Sequence, residues 1–422
     1  MGKTIAEKVF SRTSGRDVKA GDIVTAKVDL HYNLETGIAD IHKRLIKAGL
    51  PDGLPRVADP DRLAVMIGDH QGCAAKPSDA AAYKRSRELA KRYGIEKVYD
   101  INTGVAHAAV TQEGLVRPGM LVCAKDSHTT TAGGVNALGI PVSEIETAWI
   151  YATGSLWFKI PESIKIVCHG TLPKGVVSKD VFLAVIGKYS PSMGQYKSVE
   201  WTGELIAQMG MDGRFTLSCH SIELGAKCAP FPADQTCLDY VAATPHGGDP
   251  FFPTAPDEDA VYAGVYEEDF SDLEPQVALP HGFDVVKPVS AVAGIEIQQC
   301  NLGSCANGRY DDLAIFAQIV KGHQVKCRTI FSPATYKIYA RAARDGILAT
   351  LAEARVMIQA PSCLNCGGRG SCIADGEVAM GATTRNFLGR YGAPKSDIYL
   401  ASPATLAASA IRGKITDPRE FL

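Results

Sequence analysis

The sequence predicts an α/β protein with mostly parallel sheets. Patterns typical of strands and of helices alternate along the chain, as they do in βαβ units. The 422 residues are enough for about three domains with large cores. Hydrophobic residues make up 46% and charged residues 21%, which indicates a folded chain rather than a disordered one. We therefore expect three α/β domains.

The expected domains are residues 1–160, 161–285 and 286–422. The elements of the first, in chain order, are a helix at 4–12, strands at 23–30 and 63–67, a helix at 80–93, a strand at 120–124 and a glycine-rich stretch at 129–139. The elements of the second are a strand at 165–169, a helix at 178–188 and a loop-rich segment at 234–275. The third contains three strand–loop–helix units.

Charge, apolar runs and the N-terminal sequence argue against several classes of protein. Lysine and arginine number 44 against 46 aspartate and glutamate, a formal charge of −2, whereas nucleic-acid binders usually carry a strong basic excess. No uncharged apolar run approaches the ~18 residues of a membrane span, and the N-terminus has no apolar signal core. We expect a cytoplasmic protein with neither nucleic acid nor membrane as a partner.

Polar motifs directly follow four of the apolar, strand-like runs. These motifs are Asp69-His70, Asp126-Ser127-His128, Gly303-Ser304-Cys305 and Ser362-Cys363. Open α/β sheets bind ligands outside the carboxyl ends of their strands. The four loops are thus placed to meet at one cleft.

Cysteines in glycine- and serine-rich loops are candidate metal ligands. Cys363-Leu-Asn-Cys366 is a C-x-x-C motif, and alone it fits zinc, a redox dithiol, an iron–sulfur cluster or no metal at all. A closed zinc site would need a fourth ligand, for which Cys372 is the candidate. With Cys305, three thiolates would hold three irons of a cubane cluster and leave the fourth iron open, as a Lewis-acid catalyst requires.

These residues resemble the cluster-binding set of the aconitase family. The similarity extends to other motifs, namely Gly68-Asp-His70, Asp126-Ser-His-Thr129, Trp157-Phe-Lys-Ile-Pro-Glu162 and Thr384-Arg-Asn-Phe-Leu-Gly-Arg390, and so covers almost the whole chain. The resemblance implies three α/β domains around a [4Fe-4S] cleft, with one cluster per chain held by Cys305, Cys363 and Cys366 and one iron open to substrate. It also implies a hydro-lyase that dehydrates and rehydrates a 2-hydroxy dicarboxylate.

Such a reaction requires proton donors, a base and groups that bind carboxylates. Histidine is the natural acid at neutral pH when a carboxylate raises its pKa, and arginine binds carboxylates in a two-pronged manner. By resemblance, the catalytic candidates are Asp69, His70, His107, Asp126, His128 and Glu200. The substrate-binding candidates are Ser127, Asn307, Arg309, Arg385 and Arg390.

Three segments depart from the family pattern. Cys219-His220 stand where the family usually has Asn-Met, Thr384 replaces an asparagine, and Asn33-Leu-Glu35-Thr36 replaces His-Asp-x-Thr. We expect these changes to bear on substrate specificity, because altered hydrogen bonding shifts specificity strongly. The resemblance favours 2-isopropylmalate as the substrate, with 2-methylmalate, dimethylmalate, maleate and homocitrate as alternatives.

The chain ends before the swivelling fourth domain, which in single-chain members of the family carries a serine base. The resemblance therefore implies a separate small subunit that carries this domain, and we expect little activity without it. An alternative of a different class is a zinc-stabilised, non-catalytic binding protein, in which Cys305, Cys363, Cys366 and Cys372 close a tetrahedral site.

Overall fold

The computed structural model describes residues 2–422, apart from the side chains of residues 364 and 365. The strands are β1 (Ile23–Lys27), β2 (Leu30–Leu34), β3 (Leu63–Met66), β4 (Lys97–Tyr99), β5 (Leu121–Ala124), β6 (Leu138–Pro141), β7 (Ser155–Lys159), β8 (Ser163–His169), β9 (Ser198–Thr202), β10 (Gly264–Asp269), β11 (Gln276–Ala278), β12 (Val286–Pro288), β13 (Gln299–Gly303), β14 (Arg328–Ser332), β15 (Met357–Ile358), β16 (Val378–Ala382) and β17 (Asp397–Ala401). The helices are α1 (Ile5–Ser14), α2 (Gly37–Lys47), α3 (Pro77–Arg92), α4 (Ala106–Gln112), α5 (Glu144–Thr153), α6 (Ser178–Tyr189), α7 (Glu204–Gln208), α8 (Met211–His220), α9 (Gln235–Ala242), α10 (Ser304–Asn307), α11 (Tyr310–Val320), α12 (Tyr336–Arg344), α13 (Ile347–Glu353) and α14 (Pro403–Arg412).

The first large sheet is fully parallel, in the strand order β4-β3-β2-β5-β6. Every residue of β2, β3 and β5 is buried, because helices or other segments cover both faces of a parallel sheet. The segments that contain Glu35, Asp69 and Asp126 follow the carboxyl ends of β2, β3 and β5. These three carboxylates therefore share one edge of the sheet.

A seven-stranded sheet forms the last part of the chain, in the order β12-β11-β17-β16-β13-β14-β15. The strands from β17 to β15 are parallel, while β11 and β12 are antiparallel additions at one edge. Cys305 follows β13, Cys363 and Cys366 follow β15, and Arg385 follows β16. The carboxyl edge of this sheet thus supplies thiols and a guanidinium group.

Two smaller sheets complete the fold. Strands β10, β8 and β9 form a parallel sheet in that order, and β1 pairs with β7 in an antiparallel ribbon. The mixed α/β architecture with mostly parallel sheets confirms the predicted fold class. The three-domain division stays a prediction; β11 pairs with β17, which favours a second boundary near residue 275 rather than 285. Within the described residues, every helix is too short or too polar to cross a bilayer.

Candidate active site

The carboxyl edges of the two larger sheets meet at a cavity of about 190 Å³. Eleven of the predicted site residues contribute to its lining: Asp69, His70, His107, Asp126, Ser127, His128, Cys305, Cys363, Cys366, Arg385 and Arg390. The lining also includes Leu34, from one of the segments that depart from the family pattern, and Gly367 and Arg369, which the sequence did not single out. The structure thus brings together acid–base groups from the first sheet with thiols and guanidinium groups from the last.

His70 lies between two carboxylates. Its Nδ1 is 3.3 Å from Asp69 Oδ2 and 3.6 Å from Glu35 Oε1. Burial opposes the charged imidazolium, yet Asp69 and Glu35 together raise the pKa of His70 to about 9. His70 is therefore protonated at neutral pH and able to donate a proton.

The turn that precedes Asp69 and His70 requires a glycine. Gly68 has φ +84°, and a Cβ atom there would lie 2.8 Å from the Cα of Ile101. The turn lets Asp69 point inward, where its side chain is buried and its Oδ1 accepts from the backbone N–H of Ala106. Burial raises the pKa of Asp69, while the charges of His70 and His107 act against that rise.

His107 on α4 is fixed by contacts at both ring nitrogens. Nε2 donates to Asp126 Oδ1 at 2.9 Å, and Nδ1 lies 2.6 Å from the Tyr32 hydroxyl oxygen. Asp126 Oδ1 also accepts from the backbone N–H of His128 at 2.8 Å. Burial works against ionisation of Asp126, but the bonds to His107 and His128 hold its pKa well below the ordinary value.

Glu223 is a site residue that sequence reasoning missed. Its Oε1 lies 3.2 Å from His128 Nε2 and accepts from Arg385 Nε at 2.8 Å. Burial opposes the carboxylate form, but the charges of His128 and Arg385 keep the pKa of Glu223 far below its ordinary value. The signal was present, because Glu223 stands in the Ser-Ile-Glu-Leu-Gly-Ala segment that follows the departure at Cys219.

Glu223 and Cys305 also control the charge of His128. Burial disfavours the imidazolium, yet the Cys305 sulfur and the Glu223 carboxylate raise the pKa of His128 well above the ordinary value. Arg385 completes this group, since its Nη2 donates to Ser127 Oγ at 3.1 Å. The result is a buried network of alternating charges along one wall of the cavity.

Cys305 follows a tight turn at the end of β13. Gly303 has φ +146°, and a Cβ atom there would meet the Ser332 carbonyl oxygen at 2.5 Å. Ser304 then adopts φ +77°, which is uncommon outside glycine and typical of functional sites. The turn directs Cys305 into the cavity, where it is 1% exposed.

Hydrogen bonds hold Cys363 and Cys366 in place at the wall of the cavity. The Cys363 N–H donates to the Asp69 carbonyl oxygen at 2.7 Å, which ties this loop to the first sheet. Arg390 Nη2 donates to Cys366 Sγ at 3.0 Å. The neighbouring Cys363 thiol and the Arg390 charge keep the pKa of Cys366 well below its ordinary value, although burial opposes the thiolate.

These residues fit a thiolate-bound cluster. Three thiols line one cavity, and the Arg390 guanidinium donates to the sulfur of one of them, Cys366, where a positive charge favours the thiolate form that binds metal. Within the described part of the chain, the buried oxygens Ser304 Oγ and Asn307 Oδ1 beside Cys305 have no hydrogen-bond partner. A single metal ion is a different kind of ligand from a cluster of several irons. In residues 2–363 and 366–422, no three His, Cys, Asp or Glu side chains are spaced to hold one such ion.

Cys372 does not join the other cysteines. It is exposed, and its thiol donates to the Gly368 carbonyl oxygen at 2.7 Å. Its Sγ would lie 3.1 Å from a Cβ atom on Gly392, so it packs on the outer side of the loop. The position of Cys372 therefore does not favour the closed zinc site.

Three predicted site residues lie outside the cavity. Glu200 Oε1 accepts from the backbone N–H of Ile5 at 3.0 Å, and Oε2 accepts from the Tyr262 hydroxyl at 2.7 Å. β9 alternates, so Val199 and Trp201 enter a hydrophobic core while Glu200 faces the start of α1. Glu200, a catalytic candidate from the sequence, therefore lies away from the cavity lining, and its catalytic role stays a prediction.

Asn307 and Arg309 follow Cys305 closely in the chain but do not belong to the cavity lining. Asn307 Nδ2 donates to Asp312 Oδ1, and the Arg309 N–H donates to Asp312 Oδ2, both at 3.0 Å. The Arg309 guanidinium stacks 4.0 Å from the centre of the Phe215 ring. Residues two positions apart on a helix do not share a face, which explains why Cys305 enters the cavity and Asn307 does not.

Comparisons with known proteins agree with this geometry. The family model described as "Aconitase family (aconitate hydratase)" matches residues 50–293 and 283–413. The chain is 42% identical over 426 residues to "3-isopropylmalate dehydratase large subunit 1" of Methanopyrus kandleri, covering 100% of both chains. It is 39% identical over 429 residues to the protein of the same name from Archaeoglobus fulgidus, again covering 100% of both.

A third relative carries a different name. The chain is 38% identical over 421 residues to "Probable methanogen homoaconitase large subunit" of Methanothermobacter thermautotrophicus, covering 99% of this chain and 97% of that one. Among solved structures, aconitase X of Thermococcus kodakaraensis in its holo-form matches with a TM-score of 0.50 and 9% identity, over 86% of this chain and 84% of that chain. At that identity the structural likeness concerns the fold alone.

Proposed function

Because this chain belongs to the aconitase family, we propose that it is the catalytic large subunit of a hydro-lyase that interconverts 2-isopropylmalate and 3-isopropylmalate through the unsaturated acid. The observation that carries the proposal is the cavity in which three thiols face His–carboxylate pairs and two arginines. The names of the two relatives from Methanopyrus kandleri and Archaeoglobus fulgidus support the choice of substrate.

We infer that Cys305, Cys363 and Cys366 hold a [4Fe-4S] cluster. When bound, a cluster with only three protein ligands supplies a Lewis acid toward a substrate hydroxyl group. The three sulfurs that line one cavity and the Arg390 hydrogen bond to Cys366 support this role, because thiolates are the ligands of such clusters and a neighbouring cation favours them.

Proton transfer to the leaving hydroxyl is assigned to His70. Its pKa of about 9 keeps it protonated at neutral pH, and it donates that proton as the C–O bond breaks, so that the hydroxyl leaves as water. A base must take the proton from the adjacent carbon, and the electrons of that C–H bond form the double bond. Asp69 and Glu35 orient His70 and stabilise its charge before the transfer.

The substrate carboxylates are assigned to Arg385 and Arg390. Both guanidinium groups line the cavity, and each offers the two-pronged geometry that matches a carboxylate. Arg385 Nε donates to Glu223 Oε1 at 2.8 Å and Arg385 Nη2 donates to Ser127 Oγ at 3.1 Å. These two bonds fix the orientation of the guanidinium group before substrate enters.

A small subunit is the proposed partner. The relatives are named large subunits, which supports a second chain in the working enzyme. We propose that this partner supplies the serine base that takes the carbon-bound proton.

Homocitrate is the second candidate substrate. The relative named a probable homoaconitase large subunit is 38% identical, close to the 42% of the relative from Methanopyrus kandleri. The two candidates differ only in the group that the substrate carries beside its hydroxy dicarboxylate core.

The test is a substrate panel on the assembled enzyme. The chain is produced anaerobically with its small subunit and assayed with 2-isopropylmalate, homocitrate, 2-methylmalate, dimethylmalate and maleate. We expect the highest kcat/KM with 2-isopropylmalate, and a Cys363→Ser complex is the matched inactive control. A higher value with homocitrate would assign the second candidate, and no turnover of any hydroxy dicarboxylate by cluster-loaded complex would refute the proposal.

A further inference from the structure

Two of the positions that depart from the family pattern contact the ligand thiols. Cys219 Sγ lies 3.5 Å from Cys305 Sγ, and Thr384 Oγ1 lies 3.1 Å from Cys366 Sγ. All four side chains are at most 3% exposed. From sequence we expected these departures to bear on substrate specificity, and the structure places Cys219 and Thr384 against ligand sulfurs.

The fold fixes both contacts. Cys219 lies near the end of α8, which packs against α10 and the Cys305 that it carries. Thr384 follows β16, and the preceding Thr383 is anchored by a 2.6 Å hydrogen bond between its hydroxyl and that of Tyr391. Neither side chain has room to swing toward solvent.

The distances are those of hydrogen bonds. Cys219 Sγ and Thr384 Oγ1 each reach one predicted ligand sulfur, while neither residue belongs to the cavity lining that contains the three predicted ligands. A thiol S–H and a hydroxyl O–H are donors, and thiolate sulfur is an acceptor. Cys219 and Thr384 therefore have the donors that two ligand sulfurs can accept.

We propose that Cys219 and Thr384 donate hydrogen bonds to the sulfurs of Cys305 and Cys366 and thereby set the reduction potential of the cluster. This inference rests on the proposed function, since it requires that these thiols hold a cluster. An added electron makes the ligand sulfurs more negative, so a donor stabilises the reduced cluster more than the oxidised one. Both residues are positioning residues that act through the ligands.

The test is a redox titration of the reconstituted large subunit, followed by electron paramagnetic resonance. Cys219→Ala and Thr384→Val remove one donor each. Each variant is expected to shift the reduction equilibrium about tenfold toward the oxidised cluster, which is about 59 mV for a one-electron couple.

Matched variants separate donor loss from altered packing. Asparagine carries an N–H donor and is the residue that the family has at both positions, so Cys219→Asn and Thr384→Asn are expected to keep the wild-type potential. Cys168→Ala, a buried thiol in the core around β8, is the control that leaves the potential unchanged.

The outcomes distinguish this inference from the proposed function. If wild-type protein binds iron and sulfide while the potentials of Thr384→Val and Thr384→Asn both equal the wild-type value, the inference is wrong and the proposed function stands. If wild-type protein takes up no iron and sulfide, both are wrong. A lower potential in Cys219→Ala and Thr384→Val that the asparagine variants do not show supports the inference.

Discussion

Glu223 and Glu200 are buried glutamates about twenty residues apart, and their surroundings give them opposite properties. Glu223 meets His128 and Arg385, and these cations keep its pKa far below the ordinary value although burial opposes ionisation. Burial raises the pKa of Glu200 to about 6, because its two hydrogen bonds, from the neutral Tyr262 hydroxyl and the Ile5 N–H, and the charge of Lys165 lower it by less than burial raises it. Burial is common to both, so the neighbouring charges make the difference.

The comparison shows what distinguishes a carboxylate that joins the charged network at the cavity from one that does not. The cations beside Glu223 follow strands of the first and last sheets, whose carboxyl edges both contribute to the cavity. Glu200 sits where the second sheet meets α1, and no cavity residue reaches it in the described part of the chain. Convergence of charged groups from separate sheets, rather than burial of one carboxylate, identifies the site.

The largest expected effect separates the two glutamates directly. Glu223→Gln removes the negative charge that holds both His128 and Arg385, so kcat/KM of the assembled enzyme is expected to fall by about 10²–10⁴-fold. Glu200→Gln is the matched control and is expected to leave kcat/KM close to the wild-type value. If steady-state assays show equal losses of kcat/KM in the two variants, the two glutamates do not differ in their importance for activity, which contradicts the comparison.

A substitution of Arg385 that keeps its charge tests the surroundings of Glu223 with a smaller change. Arg385→Lys keeps the charge beside Glu223 but loses the two-pronged contact with a substrate carboxylate. We expect kcat/KM to fall by about ten- to several-hundred-fold, with iron content unchanged. Wild-type kinetics in the Arg385→Lys complex would show that this arginine does not bind substrate.

His70 extends the comparison to pH. Its folded-state pKa of about 9 lies above the ordinary 6.5, so the protonated acid is retained up to about pH 9 and lost above it. We expect kcat/KM to decline above that pH. Glu35→Gln removes one of the two carboxylates and should move the decline to lower pH, with several-fold lower activity at pH 9; an unmoved pH profile would contradict the assignment of His70.

The smallest effect concerns stability on the Glu200 side. The folded-state pKa of about 6 exceeds the ordinary 4.5, so Glu200 contributes stability below pH 4.5 that is lost as the pH rises through 6. Glutamine has no such dependence, and its amide can still accept from Ile5 and contact Tyr262. The free energy of unfolding of the wild type relative to Glu200→Gln is therefore expected to fall by about 2 kcal/mol between pH 4 and pH 8. Denaturant melts that differ by a constant amount across this range would contradict the placement of Glu200.

Much of the fold and of the site was predictable from sequence. Polar motifs that follow apolar runs lie at strand ends, and this rule placed His70, His128, Cys305 and Cys363 at one cavity. The alternation of strand and helix patterns likewise predicted the parallel sheets.

The differences between the expected and the observed placements have local physical causes, while the catalytic and binding roles themselves stay predictions. In β9 the side-chain alternation turns Glu200 away from the cavity, and on α10 a two-residue step turns Asn307 away from Cys305. Glu223 was missed because its role depends on cations from distant parts of the chain. Motif matching shows which residues are present, but not which face of an element they occupy.

The central claim is that three thiols at the cavity hold an iron–sulfur cluster, and metal analysis of anaerobically purified protein tests it most directly. Iron and acid-labile sulfide are expected in equal amounts, without zinc, in the wild type and in Cys372→Ser. Both are expected to be lost in Cys305→Ser, Cys363→Ser and Cys366→Ser, whose thiols line the cavity. Zinc in place of iron, or wild-type iron and sulfide in Cys363→Ser, would contradict the claim.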